Sequence, residues 1–169
     1  THLAGQLLTL ARLDPDAGQA NRRRVDLTRL ARSVVADRER LAEANQIDLG
    51  VVGAQSAVVQ GSDDNLRVLL NNLVDNAIRY AGAHARVDVT VRRDTHHVVL
   101  EVSDNGPGIP EPDRARAWER FYRGGGHAGT GSGLGLSIVR RVAEQHHASV
   151  ALETGPEGRG LTVRVRFPA

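Results

Sequence analysis

The chain has 169 residues and a formal net charge of +2; its 22 basic side chains are all arginine, and it contains no cysteine, methionine or lysine. Without cysteine there is no thiol catalysis and no thiolate-held zinc. Without lysine there is neither a Walker A phosphate loop nor a Schiff-base nucleophile.

A chain of this length buries about 70% of its unfolded surface and folds as one domain without a disulfide or metal staple. No apolar run approaches the ~20 residues of a membrane span. No signal peptide opens the chain, and its start at Thr1 marks it as an expected piece of a longer protein. The arginines are scattered, with one cluster at Arg22 to Arg24 and no interleaved aromatics. A solvated, mixed-charge surface is therefore favoured over a nucleic-acid face.

In chain order, Leu3, Leu7, Leu10 and Leu13 have helical spacing and predict the end of a longer amphipathic helix over 1–14. "DPDAGQAN" breaks it and reads as a linker, 15–21. "RRVDL" predicts a short strand, and "TRLARSVVADRERLAEAN" a helix capped by Thr28. "IDLGVV" and "SAVVQG" predict two more strands. The clearest helix is 62–81, with Leu66, Leu69, Leu70, Leu73 and Ala77 as its apolar stripe and Ser62 or Asp63 as its cap. "ARVDVTVRR" and "HHVVLEVSD" alternate as adjacent strands. An irregular stretch, 105–132, carries one helical piece around "DRARAWERFY". A last helix over 133–146 precedes a hairpin, "SVALET" and "LTVRVRF" around "GPEGRG". Blocks of helices and antiparallel strands predict an α/β (α+β) two-layer sandwich, a mixed sheet with helices on one face.

Three stretches carry chemistry. Asn72 and Asn76 lie one turn apart, with Arg79 three residues on, along one flank of the leucine stripe. Asparagine is a poor helix-interior residue, and an amide oxygen at a core edge suits a magnesium ion bridging phosphates; an ordinary exposed polar face is the competing reading. In "DNGPGI", Asp104 ends a strand and is followed by Gly106 and Gly108. A tight turn would explain the glycines; a carboxylate accepting from an adenine amino group would explain Asp104 as well, since guanine presents an acceptor there. Finally, "GGGHAGTGSGLGLS" packs seven glycines into residues 124–135 just before a helix. The remaining chain is too short to fold alone, which argues against a linker. Glycine N–H groups leading into a helix can cradle phosphate. Between these stretches Trp118, Phe121 and Tyr122 form one aromatic edge, expected to pin this loop to the core.

Taken in order, "NNLVDNAIRY", "DNGPGI", "RFYRG" and "GTGSGLGLSI" resemble the N, G1, F and G2 boxes of bacterial sensor histidine kinases. The likeness covers 62–169, and the opening segment resembles the usual lead-in. It implies a Bergerat-type ATP-binding fold over 22–169, with ATP and Mg2+ as ligands. It further implies that Asn76 holds magnesium, that Asn72 assists near the phosphates, and that Arg79 contacts phosphate. Tyr80 would border the adenine, Asp104 would read its amino group, and Gly106 and Gly108 would shape the pocket with Ile109. Arg123, Gly131, Ser132, Gly133 and Gly135 would surround the phosphates, Leu134 and Leu136 would seat the loop's end, and Thr162 would assist adenine binding through water.

ATP-hydrolysing members of this fold carry a glutamate where Asn72 stands, so the resemblance implies phosphoryl transfer to a histidine rather than hydrolysis. An ATPase or a serine-phosphorylating anti-sigma kinase is the alternative enzyme, and a partner-docking module without nucleotide the alternative from another class. No segment matches the phospho-accepting S-H-E-L-R-T-P pattern, and all seven histidines read as structural or surface residues. The acceptor is therefore expected on separate dimerisation helices, with a response regulator downstream. The resemblance implies a cytoplasmic domain of a membrane-bound homodimer, monomeric as a fragment.

Overall fold

Alternating apolar residues and a repeating leucine stripe sort this chain into strands and helices that share one core. The computed structural model describes residues 4–5, 7–8, 22–53, 55–119 and 135–169. The elements are β1 (Arg23–Asp26), α1 (Leu27–Ala44), β2 (Asp48–Val52), β3 (Val58–Gly61), α2 (Asp63–Ala81), β4 (Arg86–Arg93) and β5 (His97–Asp104), then α3 (Gly135–Gln145), β6 (Ser149–Thr154) and β7 (Leu161–Pro168). Of the opening helix, residues 4, 5, 7 and 8 are described, and they are helical.

Five strands form one mixed sheet in the order β2-β4-β5-β7-β6, parallel only between β2 and β4. A two-stranded ribbon, β1 with β3, stands apart from it. Val87, Val89 and Val91 of β4, Val98, Leu100 and Val102 of β5, and Val163, Val165 and Phe167 of β7 all enter one core with the helices' apolar stripes. The intervening residues form a polar face. There Arg164 reaches Glu101 at 3.2 Å and Glu153 at 2.6 Å, while Arg92 reaches Glu101 at 3.0 Å. One face is thus covered by helices and the other carries charge, as the strand alternation predicts.

Two local expectations are corrected. The cap of α1 is Asp26, not Thr28: the Asp26 carboxylate accepts the N–H groups of Thr28 and Arg29. The Thr28 hydroxyl instead donates to the Gln55 carbonyl at 2.7 Å, and the helix begins at Leu27, which is fully buried. The helical piece after "DNGPGI" is two 3-10 turns, Glu111–Asp113 and Arg116–Trp118, over the residues described. Pro110 and Pro112 remove backbone donors, and Ala117 is the one buried residue in the turns, so no apolar stripe exists to propagate an α-helix.

Candidate functional site

The site begins on α2. Ser62 caps it, its hydroxyl accepting the Asn65 N–H at 3.3 Å, and Asp63 and Asp64 favour the positive end of the helix dipole. Leu66, Leu69, Leu70, Leu73, Val74, Ala77, Ile78 and Ala81 are buried, which fixes the helix's rotation. Asn72, Asn76, Arg79 and Tyr80 fall at the margin of that stripe, each half-buried. The Asn72 amide donates to the Val68 carbonyl at 2.8 Å, one turn back, which orients it. The Asn76 amide has no hydrogen-bond partner among the described residues. A β-carbon placed at Gly135 would lie 3.0 Å from Asn76 Oδ1, so the first residue of α3 abuts this amide and only glycine fits without displacement. Leu136, the next residue of α3, is buried.

The second wall is the end of β5. Asp104 Oδ1 accepts the Gly106 N–H at 2.9 Å and the Leu161 N–H at 3.4 Å. Its Oδ2 has no protein donor among the described residues. Burial raises the pKa of this carboxyl, and the two backbone N–H groups oppose that rise. Gly106 packs directly on the backbone of Ala81, joining this turn to the end of α2. Gly108, at φ +74°, stands where a β-carbon would lie 2.6 Å from the Gly160 carbonyl oxygen, and Gly160, at φ +78°, packs against the Asp104 backbone. Ile109 is half-buried against the core.

The structure therefore brings Asn72, Asn76, Gly135 and Leu136 together on one side and Asp104, Gly106, Gly108 and Ile109 on the other. It does not bring Thr162 to Asp104. In the β5–β7 register Ser103 pairs with Thr162, and their hydroxyls bond at 2.8 Å. Paired residues share a sheet face, so Thr162 stands on the face opposite Asp104. Its neighbour Leu161 packs on the core side and supplies the N–H to Asp104. The sequence reading missed Leu161 and Gly160; the closing glycine of "GPEGRG" was the available signal. Arg123, Gly131, Ser132, Gly133 and Leu134 lie outside the described residues, as do Phe121 and Tyr122.

Of the described histidines, His84, His96 and His147 are exposed, His97 is half-buried, and His146 is buried in a structural role. Among the described residues no three His, Cys, Asp or Glu side chains converge on a metal position. No described helix is long and apolar enough to cross a membrane.

Residues 61–169 match the protein family described as histidine kinase-, DNA gyrase B- and HSP90-like ATPase. The sensor protein kinase PmrB of Pseudomonas aeruginosa is 41% identical over 167 residues, which is 98% of this chain and 35% of PmrB. The chain spans little more than a third of the length of the curated relatives it matches. The ATP-binding domain of PrrB from Mycobacterium tuberculosis superposes with a TM-score of 0.73 at 27% identity, covering 88% of this chain and 98% of that domain. Full-length ShkA in complex with AMPPNP gives a TM-score of 0.80 at 27% identity, covering 98% of this chain and 35% of ShkA.

Proposed function

The chain belongs to the histidine kinase-, DNA gyrase B- and HSP90-like ATPase family, and on that premise we propose that it is the catalytic part of a two-component sensor kinase. In the whole protein it would present the γ-phosphoryl group of ATP to a histidine on separate dimerisation helices, from which it passes to an aspartate of a response regulator. We place the end of those helices at 1–14, a linker at 15–21 and the catalytic domain at 22–169, on the cytoplasmic side of a membrane-bound homodimer.

The observation that carries this reading is the convergence of Asn76 and Gly135. It sets an amide oxygen with no partner among the described residues beside the start of a helix, where backbone N–H groups favour phosphate. Asp104 supplies the other half: its Oδ2, without a donor among the described residues, suits the exocyclic amino group of adenine and repels the carbonyl of guanine. Arg79 and Tyr80 flank the two halves on the last turn of α2. The donor set fits Mg2+, with Asn76 as its one protein ligand; the ion would supply charge neutralisation across the phosphates. Asn72 bonds back to its own helix, and Asp75 is held by Arg38 on α1 at 2.7 Å, so neither offers a base for water. That favours transfer to an imidazole over hydrolysis.

Calorimetric titration with a non-hydrolysable ATP analogue, with and without magnesium, tests the reading. Tight binding strengthened by magnesium is expected, and Asn76→Ala should remove the magnesium-dependent part. Equal affinity in that variant would overturn the metal assignment, and no binding by the wild-type chain would overturn the function.

A further inference from the structure

Arg114 lies outside every motif that marks the site. Its Nε donates to the Ile109 carbonyl at 3.1 Å, and its Nη2 donates to the Thr154 hydroxyl at 2.8 Å. Ile109 closes the segment that begins at Asp104, and Thr154 is the last residue of β6. Thr154 pairs in register with Leu161, the residue whose N–H reaches the Asp104 carboxylate. The segment 104–109 is thus fastened twice to the same strand pair. Its start is held by Leu161 and by the close packing of Gly160 on Asp104, and its end by Arg114.

We infer that Arg114 is a positioning residue for the adenine half of the site, holding the Gly108–Ile109 wall at a fixed distance from Asp104. This rests on the ATP-binding reading above. Two donors on one rigid, permanently charged fork are needed, because the acceptors belong to residues 45 positions apart in sequence. A lysine ammonium is a single point and cannot hold both at the same geometry. Without the fork, the carbonyl of Ile109 turns to water, and the wall keeps only the packing of Gly108 on Gly160 and its Asp104 end. Among the described residues the fork's two acceptors, Ile109 and Thr154, belong to the Asp104 half and not to the Asn76 half, so its effect is expected on the base rather than on the phosphates.

The test compares wild type, Arg114→Ala, Arg114→Lys and Thr154→Val. Affinities for ADP and for a non-hydrolysable ATP analogue are measured by calorimetry with and without magnesium, beside amide hydrogen exchange of residues 106–109. Arg114→Ala should lose about tenfold in affinity, equally for both nucleotides and regardless of magnesium, and Thr154→Val a smaller fraction of that. Arg114→Lys should recover only part. Exchange at 106–109 should quicken in the nucleotide-free variants while α2 stays protected. Wild-type affinity in Arg114→Ala, or a loss confined to the magnesium-dependent triphosphate increment, would overturn the inference. Should Arg114→Ala fail to fold, Thr154→Val decides, because it removes one exposed bond; unchanged exchange and affinity there would refute the role. Absence of binding by wild type alone would sink the ATP-binding reading, while the exchange data would still report on the fork.

Discussion

His146 Nε2 accepts the backbone N–H of Ser62 at 3.1 Å, across 84 residues of sequence. Its Nδ1 donates to the Val142 carbonyl at 2.8 Å, and its ring meets Phe167 edge-on. With the Asn65 amide donating to Gln145, this locks the first turn of α2 to the last turn of α3, the two helices whose other ends build the site. Only a neutral imidazole can accept from Ser62.

Burial lowers the His146 pKa from its ordinary 6.5, the bond to Val142 opposes this, and the nearby Arg22 and His147 charges lower it further. An imidazole with a depressed folded-state pKa binds its proton more readily once unfolded. Its contribution is complete above about pH 6.5 and declines as pH falls below it. Melting temperature should therefore drop between pH 7 and pH 5. His146→Gln, which cannot titrate, should show a shallower drop while losing about 1–3 kcal/mol at pH 7. Parallel slopes in the two proteins would refute this.

In the proposed site Asp104 would trade stability for recognition of the base. Burial raises its carboxyl pKa, so its ionisation as pH rises through that value subtracts stability from the folded state. Asp104→Asn should keep or raise the melting temperature at pH 7, because the amide oxygen can still accept from Gly106 and Leu161. Binding of an ATP analogue should fall about tenfold or more, with weaker discrimination against a GTP analogue. Calorimetry beside thermal melts checks both; a destabilised variant with intact affinity would contradict the assignment.

Gly160→Ala and Gly158→Ala separate close contact from backbone conformation. Both glycines have positive φ, +78° and +75°, but a β-carbon at Gly160 meets Asp104, whereas one at Gly158 meets nothing within 4 Å. Each substitution should lose about 1–2 kcal/mol for the left-handed backbone. Only Gly160→Ala should lose more and weaken nucleotide binding, by displacing Asp104. Equal effects in urea unfolding and in titration would show that the contact is unimportant.

Asp26→Ala should destabilise the protein by about 1–2 kcal/mol at pH 7 through loss of the α1 cap. Although burial pushes the Asp26 carboxyl up, bonds from the Ser56 hydroxyl and from the N–H groups of Arg29, Ala57 and Thr28 bring it below 3.8. That contribution is present above about pH 3.8 and is lost as pH falls through the lower folded-state value. The gap between wild type and variant in urea midpoint should close in strong acid. A gap that persists there would mean that packing, not the carboxylate, is responsible.

Local period alone decided much of this protein. The leucines of α2 repeat every three to four residues, so burying them also fixes the face on which Asn72 and Asn76 lie. Alternation in β5 likewise set Asp104 opposite Ser103. What period cannot supply is which strand lies alongside, and in which register. The pairing of Ser103 with Thr162 turned that threonine away from the site and brought Leu161 to Asp104. Tertiary packing also assigned His146 to Ser62, Arg114 to Thr154 and Gly160 to Asp104, contacts made across tens of residues. Side-chain spacing is a property of the backbone's own repeat and is written in neighbouring letters. Backbone-to-backbone approach depends on how distant segments stack over a shared core, and no local stretch of sequence carries it.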